Sequence, residues 1–298
     1  MIKRRTFLNS TLAAGLVASL PQKLLANIQL DNNTLSTVSD GYLNLPGSFL
    51  FEGMPEDALK ETLKTHGIDA ETVTPECNLA LYQSDGRNVL FDVGSGADFM
   101  PNAGTVLDSL DALGLAPEDI TDVIFTHAHP DHIWGVLDDF DEPLFYEANY
   151  YMGAKEWDYW WDPETVNSIG EARAAFAVGA KRRMEAIQDQ ITLINSGDEP
   201  ISGIQAIETY GHTPGHLAFD IEGKALVVGD AIGNHHVALE HPEWASGSDQ
   251  IPEQAIGARK MLLDRLTSEK LPVVGFHLPN GGIGQIETHN GAYKYVSA

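Results

Sequence analysis

Short apolar runs and longer amphipathic stretches take turns along this chain. Runs rich in Val, Ile, Leu and Phe occupy residues 79–82, 89–93, 123–125, 217–221, 225–228 and 272–276, several of them beside Gly or Pro. Runs this short and bounded this way predict buried strands. Helical patterns fit residues 56–65, 106–113, 171–188 and 253–266. Residues 31–46 are more polar and read as a lead-in. Strands and helices in alternation predict an α/β fold.

Composition narrows the picture. The chain has 298 residues, 43 of them acidic and 18 basic, for a formal net charge of -25. This length allows one large domain or two small ones, and either buries a real core. The acidity argues against a nucleic-acid partner, because phosphate binding needs clustered Lys and Arg. No apolar run reaches the roughly 18 residues of a membrane span, so no stable membrane insertion is expected. Cys77 is the single cysteine, which excludes an intramolecular disulfide.

The first residues read as an address. Lys3, Arg4 and Arg5 precede Thr6, Phe7 and Leu8, then an uncharged apolar stretch, then Ala26 at a point fit for cleavage. The arginine pair resembles a twin-arginine export signal. The expectation is a signal peptide over residues 1–26, a periplasmic or otherwise exported protein, and a single folded domain over 27–298.

The chemistry lies where the predicted strands end. The run 123–125 leads into His127, His129, Asp131 and His132, a His-x-His-x-Asp-His pattern. Imidazole and carboxylate are both competent metal ligands. In an extended loop, 127 and 129 can face one ion, while Asp131 and His132 turn toward a second. His212 and His216 lie in a Gly-flanked turn, and the runs 225–228 and 272–276 lead to Asp230 and His277. A carboxylate just beyond a buried strand is an expensive place for an unpaired charge.

With these residues in view, the chain resembles the metallo-β-lactamase superfamily. The resemblance implies an αββα sandwich and a dinuclear metal site. It implies that His127, His129 and His212 hold one metal, that Asp131, His132 and His277 hold the second, and that Asp230 bridges them. It also implies that Asp92 supports the metal loop and that His216 stands behind the ligands. The two divalent ions are expected to be Zn, with Mn, Co or Fe open. Such a pair sharpens a bridging hydroxide as the nucleophile, and Asp131 orients it or carries a proton. Cys77 reads as a buried thiol.

Within the superfamily, the closest resemblance is to the methyl parathion hydrolase and N-acyl-homoserine lactonase group. It rests on residues 39–46, on Gly229, Asp230, Ala231 and Ile232, and on Gly275, Phe276 and His277 with Gly282, Ile283 and Gly284. Many lactonases carry a Tyr three residues after the bridging Asp, but here that position is Gly233. His235 or His236 is a candidate to stand in. The approximate segment 150–190, with Trp157, Tyr159, Trp160 and Trp161, reads as a helical, aromatic insertion. Most of these rings are expected to pack and one or two to line the pocket. Trp134 is expected near the mouth.

The leading expectation is a metal-dependent hydrolase for a neutral, partly apolar small molecule with an ester or lactone bond. Phosphotriester hydrolysis is the alternative, and a non-catalytic metal-binding protein on the same scaffold is the alternative of another class. A homodimer is left open.

Overall fold

The computed structural model describes residues 27–233 and 235–298. The expected signal at residues 1–26 lies outside the described residues. Two sheets pack face to face. The first holds, in spatial and chain order, the strands Asn27–Leu30, Asn33–Tyr42, Glu76–Ser84, Arg87–Phe91, Asp122–Ile124, Asn149–Gly153 and Ile191–Ile194. Its first three pairings are antiparallel and its last three parallel. The second sheet runs Ile204–Glu208, Leu217–Ile221, Ala225–Val227, Pro272–Val274, Ile283–His289 and Ala292–Ser297. Its central pairing, Ala225–Val227 on Pro272–Val274, is parallel and the others antiparallel.

The period of two along a strand sorts side chains between layers. Ala80 and Tyr82 face the second sheet, meeting Phe219, Val227 and Val274. Leu79 and Leu81 face the other way, into a cluster with Leu110, Ala180, Met184 and Ile187. The second sheet repeats this plan: Leu226, Val228 and Val273 pack on Leu262, Leu263 and Leu266 of the helix Pro252–Glu269. The result is helix, sheet, sheet, helix, as expected. No described helix is long and apolar enough to cross a membrane.

One expectation needs correction. Residues 31–46 are no mere lead-in: they contain the ten-residue strand Asn33–Tyr42, whose Leu35, Ser36, Thr37 and Val38 are all buried. Its Ser and Thr hide the strand signal, yet Thr37 Oγ1 is satisfied by donating to the Gly281 carbonyl at 2.7 Å. Asp131 and His132, expected to turn after Pro130, sit on one short helical turn, Pro130–Ile133. Proline suits its first position because the amide there has no helical acceptor.

Candidate metal centre

Five segments deliver the chemistry to one rim. His127 and His129 follow the strand Asp122–Ile124, and Asp131 and His132 ride the turn Pro130–Ile133. His212 lies between Ile204–Glu208 and Leu217–Ile221. Asp230 follows Ala225–Val227, and His277 follows Pro272–Val274. All seven side chains are buried.

They form two groups, in each of which the ligand-type atoms lie within 4.8 Å of one another: His127, His129 and His212, and then Asp131, His132, Asp230 and His277. In the first, His129 Nδ1 is 3.0 Å from His127 Nε2 and 2.9 Å from His212 Nε2. In the second, His277 Nε2 is 3.2 Å from Asp131 Oδ2 and 3.3 Å from Asp230 Oδ2. Asp230 lies between the groups. Its Oδ2 is also 3.4 Å from His212 Nε2, and its Oδ1 is 3.4 Å from His132 Nε2.

The outward nitrogens determine what the inward ones can do. His132 Nδ1 donates to Asp92 Oδ2 at 2.8 Å, and His277 Nδ1 to the Glu76 carbonyl at 2.8 Å. His212 Nδ1 donates to Asp249 Oδ1 at 3.1 Å. The Thr126 hydroxyl donates to Asp92 Oδ2 at 2.8 Å, so it accepts from His127 Nδ1 at 3.0 Å. Each outer hydrogen bond fixes a tautomer and aims a lone pair inward. Asp131 Oδ2, His132 Nε2 and Asp230 Oδ1 are buried with no hydrogen-bond partner. Converging nitrogen lone pairs and orphaned carboxylate oxygens fit divalent cations well.

The two groups differ electrically. Burial, reinforced by neighbouring histidines, holds His127 and His129 well below the ordinary histidine range. Burial also opposes charge on His132 and His277, but Asp230 and Asp131 outweigh it and raise both well above that range. Burial works against Asp131 too, and His132 and His277 overcome it to hold the carboxyl below the ordinary range. The second group therefore already favours stored positive charge.

The expected supporting residues are in place. Asp92 takes a left-handed φ of 65°, which Asp tolerates better than most residues. There it accepts from the Thr126 amide as well, at 2.8 Å. His216 Nε2 accepts the Asp230 amide at 3.1 Å while its Nδ1 donates to Thr209 Oγ1 at 2.8 Å. Burial keeps His216 neutral, its pKa pushed down to about 3. Gly229 makes this contact geometrically available, since a Cβ there would stand 2.7 Å from His216 Nε2. Cys77 is a buried thiol whose pKa burial pushes up to about 11, too high for a nucleophile.

Two functional acids carry no sequence signal, being two among many acidic residues. Asp249 is buried between His212 and Arg259, whose Nη2 lies 2.9 Å from its Oδ2. Glu156 is fully buried and accepts four hydrogen bonds. The donors are the Ala128 amide at 2.9 Å, Trp160 Nε1 at 2.6 Å, Thr213 Oγ1 at 2.7 Å and the Gly215 amide at 3.0 Å. One carboxylate thus fastens the 127–129 loop to the turn that bears His212.

A cavity opens above the two groups, lined by His129, Asp131, His212, Asp230 and His277 on one side. Its apolar wall comes from Leu43, Leu45, Phe49, Val73, Phe99 and Phe176. The rings expected from residues 157–161 do not line it. Trp160 is buried and meets His129 in a T-shaped contact, and Trp157 stacks on Trp161. The insertion contributes Arg173 and Phe176 instead. Trp134 is not at the mouth either: it packs against Phe99 and beneath the Arg183 guanidinium. Gly233 lines the cavity, whereas His236 stacks on His66 at 3.8 Å and His235 belongs to the same helix, His235–Glu240.

An αββα sandwich with two converging His and Asp groups at one rim defines a metallohydrolase scaffold. A model of the Metallo-beta-lactamase superfamily matches residues 74–277, and the chain belongs to that family. A solved hydrolase of the beta lactamase superfamily, AbOPH, is 26% identical with a TM-score of 0.84, over 92% of this chain and 97% of that one. AidC, a dizinc quorum-quenching lactonase, shares the fold at 24% identity and a TM-score of 0.85, over 92% of this chain and 97% of that one. Protein YobT of Bacillus subtilis (strain 168), itself uncharacterized, is 25% identical over 173 residues, 55% of this chain and 69% of that protein.

Proposed function

We propose that this protein is a hydrolase holding two divalent ions, Zn foremost, and that it acts on a neutral, partly apolar ester or lactone. One observation carries the reading: five imidazoles and two carboxylates turn their ligand atoms inward at the foot of an apolar cavity. His127, His129 and His212 would hold one ion, Asp131, His132 and His277 the other, with Asp230 between them. When bound, such a pair activates water near neutral pH and stabilises charge that develops on the scissile group.

The protein's own groups supply the rest. Asp92, Asp249 and the Glu76 carbonyl hold the imidazoles in one tautomer. The apolar wall excludes water and receives the carbon skeleton of a substrate. Asp131 lines the cavity, where its carboxylate would orient the activated water or carry a proton. A cavity opening on the ligand groups favours catalysis over metal storage. Export through the twin-arginine-like start, ahead of a single domain over 27–298, belongs to the same proposal.

Elemental analysis of the purified protein, joined to turnover of acyl-homoserine lactones, aryl esters and neutral phosphotriesters, tests the reading. About two ions per chain and preference for lactones or aryl esters are expected. Preference for phosphotriesters would move the substrate to phosphorus. Folded protein that neither holds nor takes up metal would end the proposal.

A further inference from the structure

Four of the five imidazoles in the centre turn Nε2 inward and are held at Nδ1. His129 is reversed. Its Nδ1 meets His127 Nε2 and His212 Nε2, which leaves its Nε2 facing outward. Trp160 and Phe176 flank the ring, and neither side chain offers an acceptor. Among the described residues, the one group at hydrogen-bond distance from His129 Nε2 is the side-chain amide of Gln250, whose Nε2 stands at 3.2 Å. A half-turn of that amide puts Oε1 in the same place. A neutral imidazole carries one N–H. For His129 to aim a lone pair inward from Nδ1, the hydrogen must sit on Nε2, where the Gln250 oxygen can accept it.

Gln250 is itself anchored. Its backbone amide donates to the His212 carbonyl at 3.0 Å, and the Ile251 amide donates to the Gly211 carbonyl at 2.8 Å. The preceding residue, Asp249, holds His212 Nδ1 and is clasped by Arg259 of the helix Pro252–Glu269. The same guanidinium donates to the Trp244 carbonyl at 2.7 Å. Two consecutive side chains ahead of one helix therefore reach two of the three imidazoles in the first group.

We propose that Gln250 is a positioning residue for the first metal group. Its side-chain oxygen accepts from His129 Nε2 and fixes the tautomer that ligates through Nδ1. With Asp249 it makes the segment ahead of the helix Pro252–Glu269 a clamp that sets the first ion's affinity. This rests on the reading of His127, His129 and His212 as ligands of one ion. His132 and His277 take their outer partners from Asp92 and the Glu76 carbonyl, on other segments, so the clamp acts on one ion and not on both.

Competition of Zn between the protein and a coloured chelator measures the affinity at each group. Long-range proton–nitrogen NMR spectra of the Zn-loaded protein report which nitrogen of each imidazole carries hydrogen. Gln250→Met keeps the length and removes the acceptor. It is expected to weaken the first ion about tenfold and to leave the second within about twofold. Gln250→Glu, which restores an acceptor, is expected to recover the affinity. In the wild type His129 should carry its hydrogen on Nε2, and that hydrogen should exchange with water faster in Gln250→Met. Circular dichroism establishes that the variants fold. A merely structural role would weaken both ions alike, with no recovery in Gln250→Glu. That result, an unchanged first affinity in Gln250→Met, or a hydrogen on His129 Nδ1 in the loaded wild type would each overturn the proposal. A wild type that takes up no Zn overturns the two-ion reading as well, and shows itself before any variant is made.

Discussion

Asp131 combines two jobs on one side chain. Its Oδ2 faces His277 and His132, and the residue also borders the cavity. Asp131→Asn keeps the size but removes the charge and one acceptor. The fold is expected to survive while kcat/KM falls by about 10²–10⁴, measured beside circular dichroism. Turnover at the wild-type level would remove Asp131 from its assigned role. Proton bookkeeping gives a second residue-scale prediction. In metal-free protein at neutral pH, His132 and His277 keep their protons, because Asp230 and Asp131 overcome the effect of burial. Burial keeps His127 and His129 unprotonated. Loading the second group must therefore displace protons, so its affinity should fall as pH drops, while His127 and His129 add little to the pH dependence of the first. Calorimetric metal titrations in buffers of different ionisation enthalpy read the released protons. No proton release on loading the second group would contradict the assignment.

Between elements, the centre depends on loops held together by buried acids. Glu156 belongs to the helix Ala154–Trp161, yet it ties the loop of His127 and His129 to the turn of His212. Close packing accompanies the hydrogen bonds: a Cβ on Gly215 would stand 2.1 Å from the Glu156 amide nitrogen. Replacing the carboxylate by a hydrocarbon abandons four buried donors, each worth about 1–3 kcal/mol. Glu156→Leu is expected to lower Tm by roughly 5 °C or more and to weaken the first metal by about 10–100-fold. Glu156→Gln, which keeps one carbonyl oxygen, should lose less. Differential scanning calorimetry and competition with a coloured chelator measure the two effects. Gly215→Ala should act in the same direction, by pushing the helix and the turn apart.

For the molecule as a whole, stability and function share one set of charges. Asp131 and Asp230 are buried acids whose compensation comes from the facing histidines, and bound cations would add to it. A ligand that binds only the folded state stabilises it by about 4 kcal/mol at a thousand times its dissociation constant. Stripping the ions with a chelator is therefore expected to lower Tm by roughly 8 °C or more, reversibly on adding Zn. An unchanged Tm, with the metal shown to have left, would mean the ions are not part of the fold's energetics.

What could be read from residues alone follows the range of each interaction. Metal ligands are legible because chelation needs particular side-chain types at short, fixed spacing. His127, His129, Asp131 and His132 announce themselves, Asp230 and His277 stand just beyond strands that apolar runs reveal, and His212 sits in a Gly-flanked turn. The strand Leu217–Ile221 and the helix Pro252–Glu269 are visible because burial imposes their periods. The strand Asn33–Tyr42 was hidden because partners elsewhere in the chain satisfy its buried Ser and Thr. Glu156 and Asp249 owe their roles to neighbours that only the tertiary structure supplies. The cavity wall is the extreme case: Phe49, Phe99 and Phe176 meet from three distant segments. Local chemistry determined what the centre can bind, and long-range packing decided what can reach it.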